Sequence, residues 1–558
     1  MKNKYIITAA FPYTNGYIHI GHLSGVYIPA DIYARCLRGL NKDIIFISGS
    51  DEHGASIVIK AKKKNIKEKK IINKYHLYIK KNLKKFHISL DNYYRTSSKK
   101  HHELCKKIFK KLYLKNFFLE KSNYQYYDKI YKQFLADRFV IGTCPICKYK
   151  NCYSDQCEKC GNIINEVKLL KPKSILSNTK PILKKTINLF IPFKKYKNYF
   201  KKLLNKFKKN KNIKKNVINQ IKSFIKYGLH DRSITRDLKW GIKIPIKKYK
   251  NKVLYVWFDA LIGYISCTKD LCKKKKKKWT LFWKKKNNKL INFIGKDNII
   301  FHSILFPIII NNYNKKYIIP YNISSNEFLN LEGKKISTSK NWAIWIHNYF
   351  KYFPNMEDSL RYSLIMDMPE NKDSNFTWKK FQLYNNSELI GILGNFFNRV
   401  VVLVNKYYNG IIPKNNKFNK IDIKTINKIF KYPEIISNLI LKFKFRLSLF
   451  KFMELSRIGN KYLSIKQPWK CNDINNINNT LYISSQIIGI ISHLSYIFLP
   501  ITSKKLLKII NMKKYNILKL KKIKVIIPYN HKINKAKLIF RKITDEEINK
   551  QINKLNKI

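Results

Sequence analysis

The chain has 558 residues, 45% of them hydrophobic and 14% aromatic, which is enough apolar material for several packed domains and excludes a disordered chain. Its 114 Lys and Arg against 33 Asp and Glu give a formal net charge of +81. Lys, Asn, Ile, Tyr and Phe are abundant while Gly and Pro are sparse, a profile that A- and T-rich codons impose on any protein. The charge is therefore compatible with a polyanionic partner but does not establish one.

The first residues, MKNKYIITAAFPYTNG, hold too short an apolar run for a signal peptide, and Pro12 interrupts it. Lys4–Phe11 predicts a short strand, Pro12 to Gly16 a turn, Gly21 to Leu37 a helix, and Asp43–Ser48 a second strand closed by the polar turn Gly49-Ser50-Asp51. Strand, loop, helix, strand in this order predicts an α/β protein with a Rossmann-type parallel sheet and ligands at the carboxyl ends of its strands. Residues 116–225 break the rhythm with a cysteine cluster and a Lys-rich helical stretch. Strand signals resume at Val253–Trp257 and Leu290–Ile294, and the lysines at 273–278 read as a surface loop. Beyond about residue 380 the pattern is helical to the end, with Lys524–Pro528 the one further strand signal.

The uncharged run from Leu481 to Pro500 carries Ile483, Ile487, Ile490, Leu494 and Phe498 at helical spacing, together with Gln486 and His493. That is the pattern of a buried bundle helix rather than a membrane span. The chain reads as soluble and cytoplasmic, so its ten cysteines point to metal ligands or free thiols rather than disulfides. Cys144-Pro-Ile-Cys147 and Cys157-Glu-Lys-Cys160 form two CxxC pairs. Each short loop aims two thiolates at one ion, and four sulfurs complete the closed shell of one structural Zn2+, in preference to a redox dithiol. Cys152, between the pairs, reads as a spare thiol.

His19-Ile20-Gly21-His22 opens the first helix, with two imidazoles on one side and a glycine that lets a flat base approach the backbone. The run Gly333-Lys334-Lys335-Ile336-Ser337-Thr338-Ser339-Lys340, taken alone, is a solvated basic loop. Together and in this order the two resemble the phosphate-gripping signatures of class I aminoacyl-tRNA synthetases. Ala9-Ala10-Phe11-Pro12-Tyr13-Thr14-Asn15-Gly16, Tyr255-Val256-Trp257-Phe258-Asp259-Ala260 with Ile262-Gly263-Tyr264, and Phe301-His302-Ser303 are similar to the methionine branch of that class. The flanking run from Phe134 to Gly142 is similar as well, and the resemblance spans about Lys4 to Lys470.

The resemblance implies ATP-dependent activation of L-methionine to methionyl-adenylate and its transfer to the 3′-terminal adenosine of initiator and elongator tRNA(Met). It implies a Rossmann-type catalytic domain in two halves (1–115 and 226–325) split by a zinc-knuckle insertion (116–225). A stem-contact region with the basic loop (326–385) and an all-α anticodon-binding domain (386–558) would follow. His19, Gly21, His22, Lys335 and Thr338 are then the catalytic set, and Gly295, Asp297 and Ser337 join them around ATP, which brings Mg2+. Thr338 departs from the family's second lysine, a charge that Lys334 or Lys340 would have to supply. Ala10, Tyr13, Trp257, Ala260, Tyr264 and His302 would line a pocket suited to a thioether, with Asp51 for the ammonium group. Leu261 departs from the proline usual after that alanine. Asn395 and Arg399, one turn apart, and Pro468-Trp469 would read and stack the anticodon. A monomer is expected, with tRNA(Met), ATP and L-methionine as partners and no membrane. The alternatives are another class I synthetase for an apolar amino acid, or a non-catalytic basic RNA-binding protein that keeps the fold.

Overall fold

The computed structural model describes residues 3–557 apart from 136, 155, 156, 158, 160–163, 165–167 and 339. Its centre is a five-stranded parallel sheet in the order Pro320–Asn326, Lys289–Gly295, Lys4–Ala9, Asp43–Ser50, Asn92–Arg95. Apolar runs buried on both faces make the middle strands, with Ile6, Ile7, Phe46, Ile47, Ile291 and Phe293 all inaccessible. The two outer strands are too polar to announce themselves, as NYYR and PYNISSN, and they form by pairing with neighbours already in place.

Three sequence expectations change. The strand at Val253 ends at Leu254, and Tyr255 caps a helix over Val256–Lys274, so Trp257 lies on a helix and not on a strand. The β-branched and aromatic residues there look strand-like, but Asp259 in the first turn favours a helix start. Lys273 and Lys274 complete that helix's last turn, and only 275–278 form the exposed turn. Lys524–Pro528 forms no strand among the described residues; Ile526 and Ile527 are buried and donate their backbone N–H groups to Gln486 Oε1.

The region between the halves of the sheet holds a long antiparallel pair, Leu119–Asp128 with Ile182–Ile191, whose lysines on the exposed face hide the alternation in the sequence. The cysteine-rich turns sit at its far end, and the helices Lys197–Lys209 and Lys215–Tyr227 lead back. The C-terminal helices pack around Ile474–Phe498, which is almost entirely buried, as its spacing predicts.

A buried ionic cluster joins this bundle to the sheet. Arg361 is wholly inaccessible; its Nη2 donates to Asp31 Oδ2 at 2.8 Å and its Nε to the Phe498 carbonyl at 2.8 Å. Asp31, on the helix Ile28–Gly39, also accepts from Arg35 Nε at 2.8 Å and from Ser89 N and Oγ. Against the upward push of burial, the two guanidinium groups and Ser89 hold the Asp31 carboxyl down at about 2.

Candidate active site

The helix that begins at Ile20 is capped by histidine. His19 Nδ1 accepts from the Gly21 backbone N–H at 3.1 Å, and His22 Nδ1 accepts from the His19 N–H at 3.3 Å. The rings lie 4.0 Å apart. Since each Nδ1 is an acceptor, each ring hydrogen sits on Nε2. Burial lowers both groups, His22 to about 4 and His19 well below its ordinary value, so both are neutral hydrogen-bond donors at pH 7. A Cβ at position 21 would stand 3.0 Å from the His19 ring and 3.4 Å from Ile336 Cδ1, tighter than side chains usually pack, so glycine lets the two segments meet without displacing either.

Ile336 belongs to the basic loop, which the fold thus lays against the first helix although more than 300 residues separate them. Gly333, at φ +77°, turns the chain between Leu329–Leu331 and Lys334–Lys335. The Ser337 N–H donates to the Trp342 carbonyl at 2.9 Å to close the loop. Trp345, which the sequence does not single out, meets His19 edge to face at 5.9 Å, and Ile20 donates to the Ile344 carbonyl at 3.2 Å. Lys335, Thr338 and Lys340 are exposed. Gly295 ends its strand and Asp297 lies in the turn Lys296–Asn298 just after it, where burial pushes its carboxyl up against the opposing pull of Arg138, Lys335 and Lys296.

The aromatic residues also converge. Tyr13 and Trp257 rings are 6.4 Å apart, Trp257 stacks on Phe301 at 3.9 Å, and Phe11 meets Tyr264 at 5.0 Å. His302 Nδ1 faces the Asn298 carbonyl at 3.0 Å and so carries the hydrogen, which leaves Nε2 to accept from the Tyr264 hydroxyl at 2.8 Å. Burial lowers His302 to about 4 and keeps it neutral. Gly263 is needed where it stands, since a Cβ there would meet Phe11 at 2.8 Å. Asp51 is 2% exposed, and its backbone is bridged to Tyr13. Ala260 is buried on the Trp257 helix, and Leu261 points into the hydrophobic core.

Of the four predicted metal ligands, Cys144, Cys147 and Cys157 come together, and Cys160 lies outside the described residues. Cys147 and Cys157 sulfurs are 3.6 Å apart, close to the ~3.8 Å between sulfurs that share a tetrahedral ion at about 2.3 Å. Cys152 is not a spare thiol: its sulfur lies within 4.8 Å of those of Cys144 and Cys157, because the short strand Cys152–Tyr153 pairs back on Val140–Thr143. The cluster could hold a metal ion.

In the helical bundle Asn395 is exposed at the start of Asn395–Tyr408. The Arg399 guanidinium lies 5.0 Å over the Trp469 ring, and its Nη1 is 3.5 Å from Asn460 Oδ1. Trp469 is 40% exposed while Pro468 is buried, so the indole is presented rather than plugged.

These features agree with the comparisons. The profile described as tRNA synthetases class I (M) matches residues 5–401, and that described as the anticodon binding domain of methionyl tRNA ligase matches 412–557. Methionine–tRNA ligases of Christiangramia forsetii and Flavobacterium psychrophilum are each 48% identical over 99% of this chain and 81% of their own length. The crystal structure of Mycobacterium tuberculosis methionyl-tRNA synthetase bound by methionyl-adenylate superposes with a TM-score of 0.79 over 97% of this chain and all of that one, at 20% identity. The fold is that of a class I aminoacyl-tRNA synthetase. The chain belongs to the methionine–tRNA ligase family, whose general activity is aminoacylation of tRNA.

Proposed function

We propose that this enzyme joins methionine to ATP at the carboxyl ends of the central strands and passes the product to the 3′-terminal adenosine of initiator and elongator tRNA(Met). The supporting observation is the meeting of two distant phosphate-gripping segments, with Ile336 against Gly21 and Ile344 bonded to Ile20, beside an aromatic pocket. The methionine carboxylate attacks the α-phosphate in line, and pyrophosphate departs with the charge that develops. His19 and His22 donate Nε2–H to the phosphates, and Lys335 adds charge from the loop. Thr338 and Ser337 donate hydroxyls to the same oxygens, with Lys340 or Lys334 in the electrostatic role of the family's second lysine. Gly295 and Asp297 contact the ribose and adenine side, and Mg2+ accompanies ATP.

Ala10, Tyr13, Trp257, Ala260, Tyr264 and His302 hold the thioether side chain, while Asp51 pairs with the ammonium group. Zn2+ is held in the knuckle by Cys144, Cys147 and Cys157, with the fourth sulfur from Cys152 or Cys160, and stiffens the insertion near the tRNA acceptor end. Asn395, Arg399, Pro468 and Trp469 take the anticodon. Residues 1–115 and 226–325 act as the catalytic halves, 116–225 as the insertion, 326–385 as the stem contact and 386–558 as the anticodon domain. The enzyme works as a cytoplasmic monomer. Pyrophosphate exchange with each amino acid in turn tests the reading: exchange above background for an amino acid other than methionine, and none for methionine, refutes it. His19→Ala that leaves aminoacylation intact removes that residue from its role.

A further inference from the structure

Beside the amino-acid pocket lies a group of polar side chains that the roles above leave unused. His53 follows the strand Asp43–Ser50, and its ring is almost fully buried. Its backbone N–H donates to Asp51 Oδ1 at 3.4 Å, and its ring Nδ1 lies 2.5 Å from Asp259 Oδ2. One residue therefore tethers two carboxylates, the second of them 206 residues away along the chain. Asp259 is 1% exposed, and its other oxygen, Oδ1, has no hydrogen-bond partner among the described residues. A buried acceptor in that state is costly and marks a place where a donor is missing. Asp259 sits on the helix of Trp257 and Ala260, between the two pocket residues.

The proton positions around His53 follow from its neighbours. Its Nε2 is 3.3 Å from His102 Nε2, and the Thr96 carbonyl also holds the His102 ring. A carbonyl can only accept, and burial lowers His102 to about 4, so this ring is neutral and donates its single N–H to the Thr96 carbonyl. The remaining nitrogen of His102 is left to accept from His53 Nε2–H, which turns His53 Nδ1 toward Asp259 Oδ2. Glu52, next in the chain, is already answered by Arg95 Nε at 2.9 Å, by Ser97 and by Ser50 Oγ at 2.7 Å. Asp51 and Asp259 are the two acids left without such partners: burial pushes both carboxyls up, and the nearness of Asp259 pushes Asp51 up further. An ammonium ion between them would supply the donor that Asp259 Oδ1 lacks and favour the charged form of both acids.

We propose that Asp259 is a second carboxylate for the substrate's ammonium group, which it shares with Asp51 through Oδ1, and that His53 and His102 are positioning residues that aim it. This rests on the reading of Asp51 given above.

The test is pyrophosphate exchange by the full-length enzyme carrying Asp51→Asn, Asp259→Asn, His102→Ala or His102→Gln. It is paired with the inhibition constant of 4-(methylsulfanyl)butanoate, which is methionine without its amino group. Asp259→Asn is expected to raise the methionine KM roughly tenfold to a hundredfold, the loss of one hydrogen bond to a charged group. The KM for ATP and the inhibition constant of the amino-less analogue stay within about twofold of the parent. His102→Ala raises the methionine KM to a smaller extent. His102→Gln restores it, since an amide both accepts from His53 and donates to Thr96. An unchanged methionine KM in Asp259→Asn overturns the proposal while Asp51 keeps its role. Equal loss for methionine and the analogue also overturns it, because the role is then structural. An unchanged KM in Asp51→Asn overturns the reading beneath it, and the sharing with it.

Discussion

Arg361→Met probes the ionic cluster that ties the anticodon bundle to the sheet. The wild-type guanidinium is inaccessible and makes two 2.8 Å bonds, to Asp31 Oδ2 and to the Phe498 carbonyl. Methionine fills similar volume but bonds neither. Asp31 keeps Arg35 and Ser89, so the lost bond to it costs about 1.5–3 kcal/mol, as for other hydrogen bonds to charged groups. The Phe498 carbonyl is left buried and unpaired, which adds about 1–3 kcal/mol. The expected loss is therefore roughly 3–5 kcal/mol, the range found when one partner of a buried pair is removed. Asp31→Asn leaves two buried guanidinium groups side by side and is expected to cost as much. The double variant should cost less than the sum, by about 1–3 kcal/mol. Urea denaturation read by tryptophan fluorescence measures all three. A stability for Arg361→Met within about 0.5 kcal/mol of the parent, or strict additivity in the double variant, refutes the reasoning.

Three further outcomes follow from other parts of the molecule. Trp469→Ala should weaken tRNA binding by about 1–3 kcal/mol, the worth of one base stacked on an aromatic ring, with methionine-dependent pyrophosphate exchange unchanged; filter binding and exchange assays check the two halves. His493 is buried against Tyr515 and accepts its N–H at 3.0 Å. Burial, helped by Lys519 and Lys514, lowers it to about 4 from an unfolded value near 6.5, so it stabilises the neutral-pH fold and loses that contribution as pH falls from about 6.5 towards 4. His493→Gln should therefore lose about 2 kcal/mol less stability than the parent between pH 7.5 and pH 5, measured by urea melts at both. On the proposed role of the insertion, removing metal with a chelator should release one Zn2+ per chain, counted by a colorimetric zinc indicator, and lower aminoacylation more than pyrophosphate exchange.

Much of the fold and site was legible because it is written in contiguous motifs. His19 to His22 fall within a single turn, and the spacing of Ile483, Ile487, Ile490 and Leu494 marks a buried helix by itself. What escaped depends on contacts between distant residues. Asp31 and Arg361 lie 330 positions apart, and either alone reads as an ordinary surface charge. Cys152 joins its neighbours only because Val140–Thr143 folds back on it, which spacing does not reveal. Trp257 lies in a β-like run of apolar residues that reads as strand, yet such a run can also start a helix when a residue such as Asp259 follows. The pair Leu119–Asp128 and Ile182–Ile191 hides behind lysines, whose long stems lie along the sheet while their charges reach water.

The histidine cap also bears on the fate of the activated intermediate. With Nδ1 of both rings engaged by backbone N–H groups, neither imidazole has a lone pair free to take a proton. A stray water beside the mixed anhydride finds donors there but no base to turn it into a nucleophile. On the function proposed above, the same two bonds that start the helix would leave methionyl-adenylate without a base beside it until the tRNA hydroxyl arrives.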